Sequence, residues 1–258
     1  MGGESTTRTA PRSGGTATGP VGSRTGQRLS GVAVALGLVM FLAGFGWGVV
    51  VYRPYTVPTS SMTPTINAGN RVLAQRIDGG EIRRGDVVVF KDTSWVSNAL
   101  VVKRVVAVGG DTVSCCTEGK LTVNGKQIDE PYLPAGSVAE STNFPEVTVP
   151  KGRLFLLGDE REGSLDSTAH LTDAARGTVS QNAVTARVDA VVWPMDGMLE
   201  RPTGFETLGA LSTPGPLRTI LVLIVVGGVL VLGGGAYGPI AKRTGGRSRT
   251  RTEPAGAR

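Results

Sequence analysis

The segment Val57–Ile66, VPTSSMTPTI, crowds hydroxyl side chains around two prolines directly after a long apolar run. A serine there acts as a nucleophile only if a base takes its proton. The chain has a single histidine, His170, in the polar stretch DSTAHLTDAARG, which reads as a surface-loop residue. A Ser-His-Asp or Cys-His enzyme is therefore disfavoured. Lysine can serve as the base when burial disfavours its charged form, which means lowering a pKa of about 10.4 by roughly one to three units. The lysine set among apolar neighbours is Lys103, in ALVVKRVVAVGGD. If that stretch is a strand, Lys103 shares a face with Val101 and Val105, and Arg104 lies opposite with Val102 and Val106. Taken alone, Lys103 reads more simply as a solvated residue on the open face of a half-buried strand, and VPTSSMTPTI as a tether. Metal catalysis is poorly supplied: with one histidine and two adjacent cysteines, Cys115 and Cys116, a typical zinc site cannot be assembled. Neighbouring cysteines close only a strained ring, so these two read as free or structural thiols. No metal and no cofactor is expected.

Such a site has to be carried by a folded segment, and the apolar residues mark its ends. Leu29–Tyr52 is a block of 24 residues without a charge, bounded by Arg28 and Arg53, and Thr219–Ala241 is one of 23, bounded by Arg218 and Lys242. At about 1.5 Å per residue, either reaches across a hydrocarbon core of roughly 30 Å. The first is too long for the apolar core of a cleaved secretory signal and ends in VVVYRPY, so an uncleaved anchor is expected. The second is rich in glycine, which membrane helices tolerate. Residues 1–31 carry four Arg against one Glu, residues 242–258 six Lys or Arg against one acid, and the segment between them 17 basic and 19 acidic residues. The net charge of +6 thus lies in the tails. By the positive-inside rule the expectation is a multi-pass cell-membrane protein with both termini cytoplasmic and the middle segment outside. Membrane lipid is then a partner, and nothing points to nucleic acid, because the basic residues flank the spans.

The expected organisation is a disordered basic tail over 1–28, a transmembrane helix over 29–52, an extracytoplasmic β domain over 53–200, a proline-bearing linker over 201–218, a second transmembrane helix over 219–241 and a basic tail over 242–258. In the middle segment short Val-rich runs recur between turn signals without a long 3.6-residue period. This predicts a mostly β fold with strands at 71–76, 86–90, 99–108, 154–157 and 184–193. Asn124 and Gly125 in LTVNGKQI predict a two-residue type I′ hairpin. In the last strand Val184, Ala186, Val188, Ala190 and Val192 alternate with mostly polar residues, so one face is expected to be buried. Trp95 suits either a membrane interface or ordinary exposed surface.

Three stretches in order after the first apolar block, PTSSMTPTI, VKRVVAVGGD and GDEREGSLDS from Gly158, resemble the signature boxes of bacterial type I signal peptidases. The likeness runs from Val57 to about Met195, and the second span with its basic tail resembles actinobacterial members. The resemblance implies a signal-peptidase-like antiparallel β catalytic domain between an N-terminal and a C-terminal transmembrane helix. It implies a serine endopeptidase with a Ser-Lys dyad: Ser61, just before Met62, as nucleophile and Lys103 as base. It further implies that the Thr59 hydroxyl helps form the oxyanion hole, that Ser164 orients the lysine amine, that Asp159 pairs with Arg104, and that Asp166 is a further carboxylate of the site. The sequence departs from the family pattern at Glu160, where Asn is usual, and at Thr168, where Arg is usual. The implied substrates are secreted preproteins whose signal peptides end in small residues in an Ala-x-Ala-like pattern. An extended chain would lie alongside a strand, in shallow pockets walled by Val57, Pro58, Met62 and Val101. The secretion translocon is a further implied partner. Two other readings fit the same residues: another Ser-Lys hydrolase resembling self-cleaving repressors, and a membrane-anchored extracytoplasmic β scaffold without catalysis.

Overall fold

In the computed structural model the first apolar block folds as α1 (Arg24–Val51) and the second as α2 (Leu217–Gly245); the structure describes residues 24–77, 81–96, 99–137 and 142–245. The chain divides into two compact units, Met1–Ala43 with Val222–Arg258, and Gly44–Leu221. In the first unit the described parts of α1 and α2 run antiparallel. Ser30 Oγ donates to the Gly234 carbonyl at 2.7 Å, and Gly37 meets Gly227 with no room for a Cβ on either. Glycine sacrifices helix propensity here for close approach of two backbones, the usual way helices associate without a hydrophobic driving force. Both helices are long and apolar enough to cross a membrane, with mean hydropathy 2.3 over Arg28–Val51 and 2.5 over Leu217–Tyr237.

The second unit is built from β1 (Tyr52–Thr56), β2 (Arg71–Arg76), β3 (Val87–Phe90), β4 (Val101–Val108), β5 (Thr112–Thr117), β6 (Lys120–Val123), β7 (Lys126–Gln127), β8 (Phe144–Thr148), β9 (Arg153–Leu157), β10 (Thr178–Ser180), β11 (Val184–Trp193) and β12 (Gly197–Met198). Two antiparallel sheets result. One has the order β1-β2-β11-β3-β4-β9-β10 with β12 added to β11, and the other has the order β7-β6-β5-β8. The expected strands are all present, with ends shifted by up to two residues: 86–90 is Val87–Phe90, 99–108 is Val101–Val108 and 154–157 is Arg153–Leu157. The Val-rich β3 is buried at every position, which explains its continuous apolar run rather than an alternating one. The predicted hairpin joins β6 to β7, with φ of 51° at Asn124 and 74° at Gly125, the pair of positive values a type I′ turn requires.

The one-faced burial expected of β11 holds only over its first three residues, 184–186. Its pairing with β2 slips between Val188 and Ala190 and again between Val191 and Trp193, so Val191 is buried and Val192 is exposed. Arg187 and Asp189 are buried too, because residues 201–216 cover them. That stretch, expected as a linker, packs on the sheets. Phe205 is fully buried among Val106, Phe155 and Leu157, Ser212 Oγ donates to Asp86, and Arg84 Nη1 donates to the Leu208 carbonyl at 3.1 Å. Two further expectations change. Cys115 and Cys116 are not free thiols but a vicinal disulfide in β5. Trp95 is not an isolated exposed ring: it stacks on His170 with ring centroids 4.5 Å apart and meets Phe90 edge-on at 5.4 Å.

Candidate active site

The hydroxyl-rich stretch is the loop between β1 and β2, and its apolar residues give it shape. Val57 N–H donates to the Asn70 carbonyl at 2.9 Å and Gly69 N–H to the Val57 carbonyl at 2.8 Å, which closes the neck of the loop. Within it Ile66 N–H donates to the Met62 carbonyl at 2.8 Å. Val57, Met62 and Ile66 are at most 2% exposed and pack with Val72, Ala74, Val87 and Val188. With Val57, Met62 and Ile66 sunk into the core at intervals of four or five residues, the loop cannot act as a tether, and Ser61 is held half-buried beside Met62. The same burial means that Val57 and Met62 support the loop from beneath; of the four residues expected to wall the substrate pockets, only Pro58 is exposed and Val101 half-buried.

Lys103 comes from β4, opposite Val88 of β3, and is 3% exposed. Its Nζ donates to Ser61 Oγ at 2.6 Å; in the neutral amine the hydroxyl donates instead. Burial holds the lysine below its ordinary range, and the negative charges of Asp166 and Asp159 oppose that shift without cancelling it. Thr59 Oγ1 lies 3.3 Å from Ser61 Oγ, on the exposed side of the loop. Nucleophile, amine and a second hydroxyl therefore converge, the amine brought from 42 residues beyond the nucleophile.

The stretch after β9 abuts the nucleophile from the other side. Glu160 N–H donates to the Ser61 carbonyl at 3.2 Å, and a Cβ on Gly158 would overlap both that carbonyl and the Ser164 side chain. Ser164 is buried at 8% exposure beside Gly158, but its Oγ has no hydrogen-bond partner; the bond expected between Ser164 and Lys103 is not formed. Asp166 Oδ2 accepts from Gly158 N–H at 2.8 Å, and its Oδ1 accepts from Thr168 N–H at 3.0 Å and Thr168 Oγ1 at 2.8 Å. Thr168 thus partners the carboxylate through its own hydroxyl. Glu160, the other departure, bonds to the site through its backbone while its side chain accepts from Gly163 N–H at 2.6 Å.

Arg104 and Asp159 meet as a two-pronged pair, Nε to Oδ1 at 2.8 Å and Nη2 to Oδ2 at 2.6 Å, and Arg104 Nη1 donates to the Gly85 carbonyl at 3.0 Å. Its guanidinium carbon stands 3.8 Å from the centroid of the Tyr132 ring. Arg161 adds a second cation, pairing with both Glu130 oxygens at 2.9 and 2.6 Å and donating from Nε to the Gly158 carbonyl at 3.0 Å. The sequence reading did not single out Glu130, Tyr132 or Arg161. Arg161 lies within GDEREGSLDS, but its partners are about thirty residues away in the chain, and no local pattern announces such a pairing.

The chain resembles known proteins over this region. A family model described as "Signal peptidase, peptidase S26" matches residues 29–193, more than half of the chain. Signal peptidase I of Mycobacterium tuberculosis is 35% identical over 193 residues, which cover 56% of this chain and 66% of that one, just under two thirds of its length. Signal peptidase I of Bacillus amyloliquefaciens is 33% identical over 177 residues, covering 65% of this chain and 84% of that one. A crystal structure of a signal peptidase I from Enterococcus faecalis matches 46% of this chain and 97% of its own, with 27% identity and a TM-score of 0.32. On the extent of the family match and the identity to the Bacillus protein, the chain belongs to the S26 family of signal peptidases.

Proposed function

We propose that this chain is a membrane-bound serine endopeptidase that removes signal peptides from exported preproteins, cutting after small residues. The observation that carries the reading is the 2.6 Å contact between Ser61 Oγ and a buried lysine amine that no described carboxylate pairs. Neutral Lys103 takes the Ser61 proton as Oγ bonds to the scissile carbonyl carbon. The carbonyl oxygen gains a negative charge, which the Ser61 N–H and the Thr59 hydroxyl meet. The lysine ammonium then gives its proton to the departing amine as the C–N bond breaks, freeing the mature protein and leaving the signal peptide as an ester on Ser61. Lys103 next takes a proton from water as the water oxygen bonds to the ester carbon; the C–Oγ bond then breaks, the ammonium returns the proton to Oγ, and the signal peptide leaves with a free carboxyl end. Asp166 and Asp159 temper the lysine by their charge.

In this reading α1 and α2 are transmembrane, residues 53–200 lie outside the cytoplasm, and both basic tails lie inside. The test uses the full chain in detergent with a preprotein whose signal peptide ends in Ala-x-Ala and a variant carrying a bulky residue at the last signal position. Cleavage of the first alone, lost in Ser61→Ala and in Lys103→Ala, is expected; cleavage retained in either variant overturns the dyad.

A further inference from the structure

One side chain joins the end of α1 to the start of α2. Tyr52, the first residue of β1 and 4% exposed, donates its hydroxyl to Asp189 Oδ2 in β11 at 2.9 Å and accepts the Leu217 N–H at 3.1 Å. Leu217 opens α2, and an N–H in a helix's first turn has no partner inside the helix, so Tyr52 satisfies an orphan donor. The segment entering α2 presses on the same spot. A Cβ on Gly215 would overlap the Tyr52 hydroxyl, the Asp189 carboxylate and the Gln75 side chain at once. Asp189 is held in turn by Arg201 Nη2 at 2.5 Å. None of these side chains touches Ser61 or Lys103, yet the clasp is mechanically continuous with the nucleophile loop. β1 pairs residue for residue with β2, from Tyr52 opposite Gln75 to Thr56 opposite Arg71, and then becomes that loop. Four rises of ~3.3 Å put the start of the loop about 13 Å along a paired strand from the clasp.

A domain on one helical stalk is free to tilt about its junction, and relative motion is the default where little surface joins two parts. Here the residue that follows α1 and the one that begins α2 are bonded to each other and to the same sheet within the second unit, so both junctions are tied to the sheet that carries the Ser61 loop. We infer that the Tyr52–Asp189–Leu217 clasp fixes the distance of Ser61 from the two helix junctions and so selects which bond of a membrane-held preprotein is cut. This rests on the peptidase reading above and adds to it a determinant of cleavage position outside the reacting groups. Tyr52 and Gly215 are positioning residues, acting on where the substrate is cut rather than on the chemistry.

The experiment compares the full chain with Tyr52→Phe, which removes only the hydroxyl, and Gly215→Ala, which wedges the incoming segment off the clasp. Each is reconstituted in vesicles of phosphatidylethanolamine and phosphatidylglycerol and given a preprotein with two Ala-x-Ala sites in tandem, alongside a short soluble signal-peptide fragment. The expected result is fragment hydrolysis within about twofold of the parent and a ratio of the two preprotein products that falls by roughly threefold or more in both variants, the factor one lost net hydrogen bond carries. An unchanged product ratio in both variants overturns the inference, whatever happens to the fragment. Fragment and preprotein cleavage falling in parallel, with the ratio intact, overturns it as well, since that is the mark of a merely structural role. If the parent cuts neither substrate, the peptidase reading itself fails.

Discussion

Lys103 and Arg104 are adjacent in β4 and meet opposite surroundings. Arg104, 1% exposed, is gripped by Asp159 at 2.8 and 2.6 Å, whereas Lys103, 3% exposed, forms no ion pair with a described residue and meets Ser61 Oγ at 2.6 Å. Strand alternation directs the two side chains to opposite faces. A buried cation with a carboxylate keeps its charge, and one without gives up its proton more readily. The same strand thereby supplies a permanent charge that braces the site and an amine that can exchange a proton.

If the amine is the base, its charge state and not its bulk is what counts. Replacing Ser61 by Ala, or Lys103 by either Ala or Arg, is expected to lower kcat/KM for a fluorogenic signal peptide by about 10²–10⁴-fold or more. Arg is as damaging as Ala because a guanidinium stays protonated. A Lys103→Arg variant that keeps a large part of the parent rate would remove proton transfer from the role of residue 103.

The acid limb of the pH profile reports the same group. Burial lowers the Lys103 pKa from 10.5, and Asp166 and Asp159 raise it. Activity should rise with pH as the amine loses its proton, with the midpoint below the ordinary lysine range. Asp166→Asn removes one of the opposing charges, so its acid limb should shift to lower pH. Steady-state kcat/KM across pH measures this directly, and a shift to higher pH contradicts the assignment.

Replacing the amine should trade activity for stability. Because the folded-state pKa is depressed, the unfolded chain binds a proton that the folded chain lacks between that value and 10.5, so stability rises with pH across this window. Below it both states are protonated and burial of the charge is a constant cost. Lys103→Met deletes the cost, so an inactive protein with a higher melting temperature near neutrality is expected, without the alkaline gain. A benefit of ~1 kcal/mol corresponds to about 2–4 °C for a domain of this size. Thermal unfolding in detergent at several pH values supplies the comparison; a melting temperature below that of the parent throughout would mean that the amine stabilises the fold.

Thr59 tests the oxyanion side of the site. Its hydroxyl is 3.3 Å from Ser61 Oγ, and Thr59→Val keeps the shape while removing the donor. A fall in kcat of about 10²–10³-fold with little change in KM is the expected signature of a contact made chiefly in the transition state, and Thr59→Ser should retain most of the rate. Equal losses in Val and Ser variants would point to packing instead.

What the sequence disclosed follows from where apolar residues had to go. β3, β4, β9 and β11 read clearly because they are central strands buried through much of their length, and such strands need unbroken or alternating Val and Leu. β1 was hidden because YRPYT resembles a junction; it is an edge strand, where the missing N–H of Pro54 costs little. β5 and β8 carry Ser, Thr, Cys, Pro and Glu, and their strand character comes from pairing with each other. Residues 201–216 hid behind their prolines, since Phe205 and Ser212 are isolated anchors whose partners lie far back in the chain. The contact of Ser61 with Lys103 was legible as a chemical need, a base for a serine in a chain with one histidine, and the motif resemblance pointed to where. The supporting pairs of Arg161 with Glu130 and of Tyr132 with Arg104 were not, because a contact between distant positions leaves no periodicity to read.

Gly158 turns this geometry into a rule of inheritance. Even the smallest substitution, alanine, would drive a methyl into the Ser61 carbonyl and the Ser164 side chain together, separating the nucleophile from the segment that bears Asp159 and Asp166. Positions 160 and 168 stand differently: Glu160 reaches Ser61 through a backbone N–H that any residue but proline brings, and Thr168 meets Asp166 with a hydroxyl that other donors can replace. Descendants of this chain are free to drift at the margins of the box, while its centre passes on unaltered or the site is lost.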